Sequence, residues 1–124
     1  MRGLFILAAV VLVSGCAPDA SAPIGTAERF YRALTSGQPD AACLLLAPRT
    51  AAKLPDEGES CGQALAKLGL EGGQVERAAV WGEEAQVSLA EDTLFLHRYA
   101  DGWRIKAAGC EPRPELPFDC EVED

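Results

Sequence analysis

The sequence predicts an α+β fold class, in which N-terminal helices pack on a four-stranded antiparallel meander sheet and two disulfides staple the domain. The first observation is that apolar residues recur with a helical period before residue 70 and with a period of two from Val75 onward. The second is that short turn sequences suited to hairpins separate the period-two segments. The third is a set of cysteines whose number and positions fit two disulfides in an oxidising compartment.

Residues 1 to 15 have the pattern of a signal peptide. Arg2 precedes an unbroken apolar run from Leu4 to Val13, which is about half of the ~20 residues that a helix needs to span a bilayer. The segment Val13-Ser14-Gly15-Cys16 resembles the lipobox of bacterial lipoproteins. The resemblance implies that Cys16 becomes the first residue of the mature chain and carries a thioether-linked diacylglyceryl group, with acyl chains such as palmitate. The alternative is an ordinary secretory signal whose cleavage site lies near a structural cysteine.

The sequence after the signal peptide divides into a short tether and one domain. Residues 16 to 25 are rich in Pro, Ala and Ser without periodicity, so they are predicted to be the lipidated cysteine and a flexible tether. Residues 26 to 124 are predicted to form a single α+β domain that ends in an acidic tail, 110 to 124, closed by a disulfide. Each buried acyl methylene contributes about 0.8 kcal/mol to membrane binding, so two or more acyl chains anchor a protein stably. We therefore expect a secreted protein that its lipid holds on the extracytoplasmic face of the cell membrane, within the cell envelope.

The charge balance narrows the range of partners. Once Arg2 leaves with the signal peptide, ten basic and nineteen acidic residues remain, and the net charge is −9. A surface of this sign argues against nucleic acid, whose phosphates need a basic patch, and against electrostatic adhesion to anionic lipid. We therefore expect contact with the membrane through the N-terminal lipid and no nucleic acid partner. No cofactor is predicted.

Four cysteines remain after Cys16 is assigned to the lipid. They allow three connectivities, of which the favoured one joins Cys43 to Cys61 and Cys110 to Cys120. A zinc site is the competing interpretation, but the chain contains no Cys-x-x-Cys and its only histidine, His97, is far from every cysteine in the sequence. No metal site is therefore predicted.

The first two helices are predicted between Thr26 and Ala47. Thr26 is a candidate cap for a first helix, whose apolar residues follow the spacing i, i+3, i+4, i+7 until Gly37 ends it. Pro39 suits the first turn of a second helix that continues to Ala47. This second segment is apolar nearly all round, so it is predicted to be buried.

Two more helices follow the second. Pro48 restarts the chain as a short third helix, which ends near Leu54. An acidic loop then leads to Ser60 and Gln63, whose spacing is that of a capping box at the start of a fourth helix. Asp56, Glu57 and Glu59 in this loop lack the spacing of a calcium loop, so they are interpreted as a solvated surface.

The sheet is predicted from four period-two segments, at residues 75 to 81, 84 to 90, 93 to 99 and 103 to 109. Two-residue turns at Gly82-Glu83, Glu91-Asp92 and Asp101-Gly102 would fix the register. That register pairs Leu94 with Leu89, Leu96 with Val87 and Ala107, and Ile105 with Arg98. Leu94, Leu96 and Ile105 then lie on the face that the helices cover.

The opposite face of the sheet, called the outer face below, is more aromatic than a solvated face needs to be. We expect it to be covered, either by the tail that contains Leu116-Pro117-Phe118 or by a second copy of the chain as a homodimer. Its predicted members are Trp81, Phe95, His97, Tyr99, Arg104 and Lys106.

Helices followed by a curved antiparallel sheet, with the late segment from Asp101 to Cys110, resemble the nuclear transport factor two-like superfamily in its cone-shaped, SnoaL-like form. The resemblance covers residues 26 to 110 and is one of layout, with Trp103 as the aromatic that closes the cone. It implies a pocket between the helices and the concave sheet. Some members use this pocket for isomerase or dehydratase chemistry and many use it for binding alone, so the fold does not decide the function.

Few titratable side chains are predicted to face the cone. The candidates for a pocket are Tyr31, Glu76 and Arg98. Glu76 and Arg98 are more simply an ion pair at the rim, and Tyr31 lies on an apolar stripe. His97 has a suitable unperturbed pKa for a general base, yet its predicted position is on the outer face with no carboxylate beside it in sequence, so no residue is assigned as catalytic.

Two functions remain open. The favoured hypothesis is a non-enzymatic module that binds a small ligand or an envelope protein, because helices, disulfides and aromatic residues are explained without a catalytic set. The alternative is a small hydrolase, dehydratase or isomerase that works in the cone.

Overall fold

The computed structural model describes residues 19 to 124, so the predicted signal peptide and Cys16 lie outside the described residues. It is a mixed α+β fold in which helices precede an antiparallel sheet, as predicted, but the sheet has five strands instead of four. No helix within residues 19 to 124 is long and apolar enough to cross a membrane. The helices are α1 (Ser21–Thr35), α2 (Pro39–Cys43), α3 (Pro48–Lys53) and α4 (Cys61–Lys67), and the strands are β1 (Val75–Trp81), β2 (Glu84–Leu89), β3 (Thr93–Tyr99), β4 (Gly102–Arg113) and β5 (Leu116–Val122).

Helix α1 begins earlier than predicted. Asp19 accepts a hydrogen bond from the Ser21 N–H at 2.9 Å, and this bond satisfies one of the free donors at the helix start. Thr26 was predicted to cap the helix but lies inside it, buried, where its hydroxyl donates to the carbonyl of Ala22 at 3.2 Å. Residues 21 to 25 are therefore helical, and their assignment to the tether is wrong.

Helix α2 is shorter and less buried than predicted. It ends at Cys43, and the next residue, Leu44, is 74% exposed. The chain then runs beside β4, where the Ile105 N–H donates to the Leu45 carbonyl at 2.9 Å and the Ala47 N–H donates to the Ile105 carbonyl at 2.7 Å. This part of the β4 edge has no other strand beside it, so pairing with the segment satisfies backbone groups that a longer α2 would leave free.

The capping box at α4 is confirmed. The Ser60 hydroxyl accepts from the Gln63 N–H at 3.1 Å, and the Gln63 side chain accepts from the Ser60 N–H at 2.9 Å. Two of the free donors at the start of this short helix are satisfied in this way.

The fifth strand is the tail. Strand β4 is long: its first half pairs with β3 and its second half pairs with β5, so that the strands follow one another in chain order across the sheet. The sequence analysis predicted an acidic tail closed by a disulfide here and no fifth strand. Pro117 lies in β5, a strand at the edge of the sheet, where a missing N–H can be tolerated.

The two later hairpin turns are each placed one residue earlier than predicted. The loops are Ala90-Glu91 and Ala100-Asp101, so Leu94 lies opposite Val87, and Leu96 lies between Ala85 and Ile105. The predicted partners are therefore wrong by two residues. Because side chains alternate with a period of two, a slip of this size leaves each residue on its predicted face.

The core lies between the helices and the inner face of the sheet. Apolar side chains from α1, α2, α4 and four strands form one contiguous cluster there, and Trp103 packs against it while remaining partly exposed. The space that the superfamily resemblance assigned to a pocket is thus occupied by large, fully buried side chains. These include Phe30, Leu46, Leu65, Val87, Leu94, Leu96, Ile105 and Val122.

Both predicted disulfides are confirmed. Cys43 at the end of α2 is bonded to Cys61 at the start of α4, with the two Cα atoms 6.2 Å apart. Cys110 and Cys120 lie opposite each other in β4 and β5 and are bonded across the strands. The first bond ties two short helices together, and the second ties the tail to the sheet.

Candidate functional site

A buried polar cluster lies at the end of the core, around Tyr31 and Asp92. Tyr31 and Asp92 are each 7% exposed, and the tyrosine hydroxyl donates to Asp92 Oδ2. Oδ2 also accepts from the Gly109 N–H at 3.0 Å, while Oδ1 accepts from the N–H groups of Cys110 at 2.8 Å and Thr93 at 2.7 Å. The carboxylate thus accepts four hydrogen bonds from the protein itself. These bonds within the fold occupy its acceptor positions.

The backbone closes tightly around this cluster. Gly109 has a φ of 63°, and a Cβ at this position would lie 2.9 Å from the Leu70 side chain. Gly72 lies flat on the Tyr31 ring, where a Cβ would be only 2.5 Å from Cδ2. Larger residues at either position would displace the loop that covers Tyr31, so the glycines keep the phenol out of solvent.

Two surface clefts flank the loop that covers Tyr31. One, of about 640 Å³, lies between α1, residues 70 to 75 and the β2–β3 turn. The other, of about 320 Å³, lies between the same loop and the β4–β5 hairpin. Tyr31 borders the first cleft and Asp92 borders the second, but both polar groups are already bonded to each other. The clefts therefore offer surface acids, such as Glu71 and Glu91, rather than a free buried acid or base.

Alkaline titration is expected to report the Tyr31 environment. Burial raises the pKa of Tyr31 well above its ordinary value, and the hydrogen bond to Asp92 raises it further. In the unfolded chain the Tyr31 hydroxyl loses its proton near pH 10, whereas in the folded chain it keeps the proton to higher pH. The contribution of Tyr31 to the free energy of unfolding is therefore fully present below pH 10 and decreases above it. We expect the free energy of unfolding of the wild type to fall by up to about 1.4 kcal/mol per pH unit above pH 10, relative to Tyr31→Phe. Urea unfolding of both proteins from pH 8 to 11 measures this, and parallel curves would contradict it.

The other two predicted pocket residues do not join Tyr31. Glu76 is exposed at an irregular position of β1, beside the end of β2, whereas the Arg98 backbone bonds to Glu83 at the opposite end of that hairpin. The predicted ion pair between Glu76 and Arg98 does not form. The Arg98 guanidinium instead lies 6.0 Å from the centre of the Trp103 ring, a cation–π distance.

A row of side chains crosses the outer face from β1 to β4. Trp81 pairs with Glu84, Glu84 with His97, and His97 with Arg104. Directly paired residues of antiparallel strands share a face, so these four side chains lie side by side. A bulge in β3–β4 falls at Lys106 and not before His97, which leaves the His97 ring on the outer face as predicted.

Glu84 is the centre of this row. Its Oε1 lies 2.5 Å from His97 Nδ1, and its Oε2 lies 3.4 Å from Lys106 Nζ. The His97 ring also packs edge-on against Tyr99, with ring centres 4.7 Å apart. One carboxylate and one phenol ring therefore contact the imidazole, which remains partly exposed.

Arg104 ends the row and is fixed in a similar way. Its guanidinium contacts Asp101 at 2.6 Å and donates to the Leu44 carbonyl at 2.6 Å. The guanidinium lowers the pKa of Asp101 through this hydrogen bond, so the pair stays charged.

The outer face is only partly covered. Phe118 from β5 packs edge-on against Phe95 with ring centres 5.1 Å apart, as expected if the tail covers part of this face. Trp81 is 51% exposed and Tyr99 is 37% exposed. Aromatic surface at the other end of the face thus remains open to solvent.

Sequence reasoning placed the outer aromatics but missed the two carboxylates that organise both clusters. Glu84 lies 13 residues before His97, and Asp92 lies 61 residues after Tyr31. The predicted register put Glu84 opposite Tyr99 and put Asp92 in a turn. The sequence allowed a second position for the β2–β3 turn, at Ala90-Glu91. This position leaves every side chain on the same face of the sheet and brings Glu84 opposite His97, so weighing it would have revealed the pair.

Within residues 19 to 124, no three His, Cys, Asp or Glu side chains are grouped so that they could hold a metal ion. Comparison of the chain with protein-family models, with curated proteins and with solved structures finds no match. The support for the lipobox and for the superfamily layout is therefore the sequence itself.

Proposed function

We propose that the mature chain is a lipid-anchored binding module on the extracytoplasmic face of the cell membrane, and that the outer face of the sheet is its binding surface. The observation that carries this proposal is the contrast between the two faces of the sheet. The inner face is filled by buried apolar side chains, whereas the outer face presents Trp81 and Tyr99 to solvent beside polar groups held in place.

The polar cluster in the core gives little support to the enzyme hypothesis. A general acid or base must reach its substrate. The Tyr31 hydroxyl is buried under Gly72, and Asp92 is saturated with hydrogen bonds. Two disulfides support an oxidising compartment, which is consistent with export.

The anchor has its own test. We expect the wild-type chain to partition into detergent from the membrane fraction and to carry a mass increment on Cys16. Cys16→Ala should abolish both properties and leave the soluble domain folded, because the domain begins several residues later. An unmodified mature chain that begins upstream or downstream of Cys16 would contradict the anchor.

The binding surface is tested by photo-cross-linking in intact cells. A photoreactive phenylalanine analogue replaces Trp81 in one protein and the exposed Glu57, in the loop between α3 and α4, in a control. We expect a covalent adduct from position 81 and none from position 57. Equal labelling at both positions, or none at position 81, would refute the outer face as the binding surface.

A further inference from the structure

Strand β1 lies at a free edge of the sheet, because the five strands follow one another in chain order. The Ala90 N–H donates to the Gln74 carbonyl at 2.9 Å, so the even-numbered residues of β2 turn their backbone groups toward β1. Their partners in β1 are Arg77, Ala79 and Trp81. The N–H and C=O groups of Ala78 and Val80 therefore point away from the sheet, and within residues 19 to 124 no backbone group bonds to them.

This edge is less protected against pairing than the opposite edge. Edge strands ordinarily carry prolines, charges or bulges that prevent another strand from adding to them. Strand β5 has one proline and two carboxylates, whereas β1 has a bulge only near its start, at Glu76. Between this bulge and the hairpin turn, residues 77 to 81 form a regular segment in which Arg77 is the single charge. These five residues are called the open segment below.

The open segment is complementary to itself in one antiparallel register. A pairing that uses all of its residues places a two-fold axis at Ala79, with Ala78 opposite Val80 of a second copy. Because both of these residues direct their backbone groups outward, two N–H···O=C bonds form on each side of the axis. Other registers with the same bonding would extend into the bulge or into the turn.

The side chains fit the same register. On the outer face, Arg77 of one copy lies opposite Trp81 of the other, where guanidinium and indole can form a cation–π contact. Trp81 is 51% exposed, and Arg77 forms no ion pair with any side chain in residues 19 to 124, so both groups are available. On the inner face, Ala78 lies opposite Val80. Both pack against the core yet remain half-buried, so a second copy would complete their burial.

We propose that two copies of the chain pair through their open segments and form one continuous ten-stranded sheet. This inference goes beyond the proposed function and does not depend on it. It differs from the homodimer that the sequence predicted, because edges and not outer faces meet. The outer faces of both copies look to the same side, and both α1 helices lie on the other side. The two predicted tethers start from one layer, so both chains can be anchored in the same membrane.

Confinement on a membrane favours this pair. Five residues of each edge bury less surface than a stable dimer in solution needs. The carboxylates of Glu76 and Glu83 flank the open segment, so their repulsion across the pair also weakens it. Two chains held on one membrane meet at a higher effective concentration. The pair is therefore tested in intact cells that make the full-length chain.

Cysteine cross-linking measures the register. The two Ala79 residues form a non-hydrogen-bonded pair with Cα atoms about 4.5 Å apart, a distance that a disulfide can bridge. The two Ala78 residues are about 8 Å apart and cannot be bridged. Glu57→Cys, in the exposed loop between α3 and α4, is the control for random collision. After mild oxidation, we expect Ala79→Cys to give at least tenfold more covalent dimer on a non-reducing gel than Ala78→Cys or Glu57→Cys.

A mixed pair of variants tests the contact on the outer face. Arg77 lies opposite Trp81 of the second copy but about 14 Å from the second Arg77. Cells that make Arg77→Cys and Trp81→Cys together should therefore give a mixed covalent dimer. Cells that make either variant alone should give none above the Glu57→Cys level. Adding Trp81→Ala to Ala79→Cys should lower the yield of dimer at least threefold.

The outcomes separate this inference from the proposed function. Equal yields of dimer from Ala79→Cys and Glu57→Cys, or a higher yield from Ala78→Cys, would overturn the inference. A covalent product of Ala79→Cys with another protein would show that a foreign segment occupies the edge, and would overturn it as well. In the photo-cross-linking experiment, an adduct at position 81 with twice the mass of the chain belongs to this pair, whereas any other adduct concerns the binding surface.

Discussion

Replacing Asp92 with alanine is expected to lower the free energy of unfolding by about 3 to 5 kcal/mol, a large fraction of the stability of a small domain. The carboxylate accepts from the Tyr31 hydroxyl and from three backbone N–H groups. Alanine removes all four acceptor contacts at once and leaves the donors of Gly109 and Cys110 in a buried site. Each unsatisfied buried donor costs roughly 1 to 3 kcal/mol, reduced where water enters.

The adjacent residue provides a matched control. Glu91 has the same charge but is exposed, so Glu91→Ala is expected to change stability by less than about 0.5 kcal/mol. Tyr31→Phe removes one of the four hydrogen bonds and should cost about 1 kcal/mol. Urea unfolding at pH 7 measures all three variants. If Asp92→Ala loses no more stability than Glu91→Ala, Asp92 does not organise the junction of α1, β3 and β4.

The inner and outer faces of the sheet could be predicted because they depend only on residue parity. Leu94 and Leu96 are buried and His97 is on the outer face even though the expected partners were displaced. The displacement itself follows from a long-range contact. Asp92 is needed inside the domain by Tyr31 and by the backbone of β4, so it leaves the turn and the loop moves to Ala90-Glu91.

The fifth strand and the position where α2 ends could not be predicted from the local sequence pattern, and the reasons are related. The sequence predicted only a tail closed by a disulfide, yet pairing with β4 makes this segment a strand. An apolar run argued for a longer α2, yet the free edge at Ile105 binds the chain after Cys43. In both places a partner distant in sequence outweighs the local preference, whereas Ser60 and Gln63, which cap a helix within three residues, were predicted correctly.

In the candidate site, too, features set by the local pattern could be predicted, whereas a contact with a residue distant in sequence could not. The aromatic members Trp81, Phe95 and Tyr99 were predicted from strand parity alone. Glu84 was not, because its role depends on which residue lies opposite it and not on the face it occupies. A prediction of a face therefore survives a slip of two residues, but a prediction of a hydrogen-bonded pair does not.

The double variant Cys43→Ala with Cys61→Ala is expected to lose about 3 kcal/mol of stability. The bond closes a loop with a sequence separation of 18, and its removal restores conformational freedom to the unfolded chain. Helices α2 and α4 have five and seven residues, too few to persist alone, so the native state also depends on the link between them.

Removal of Cys110 and Cys120 provides the internal comparison. Its separation is 10, and the hydrogen bonds between β4 and β5 remain after the bond is lost, so a smaller decrease is expected. Equilibrium urea unfolding of both double variants measures the two decreases. The denaturant slope should also rise for the variant without Cys43 and Cys61, because its unfolded chain exposes more surface. A loss below about 1 kcal/mol with an unchanged slope would mean that packing of α2 against α4, and not the covalent link, holds the two helices together.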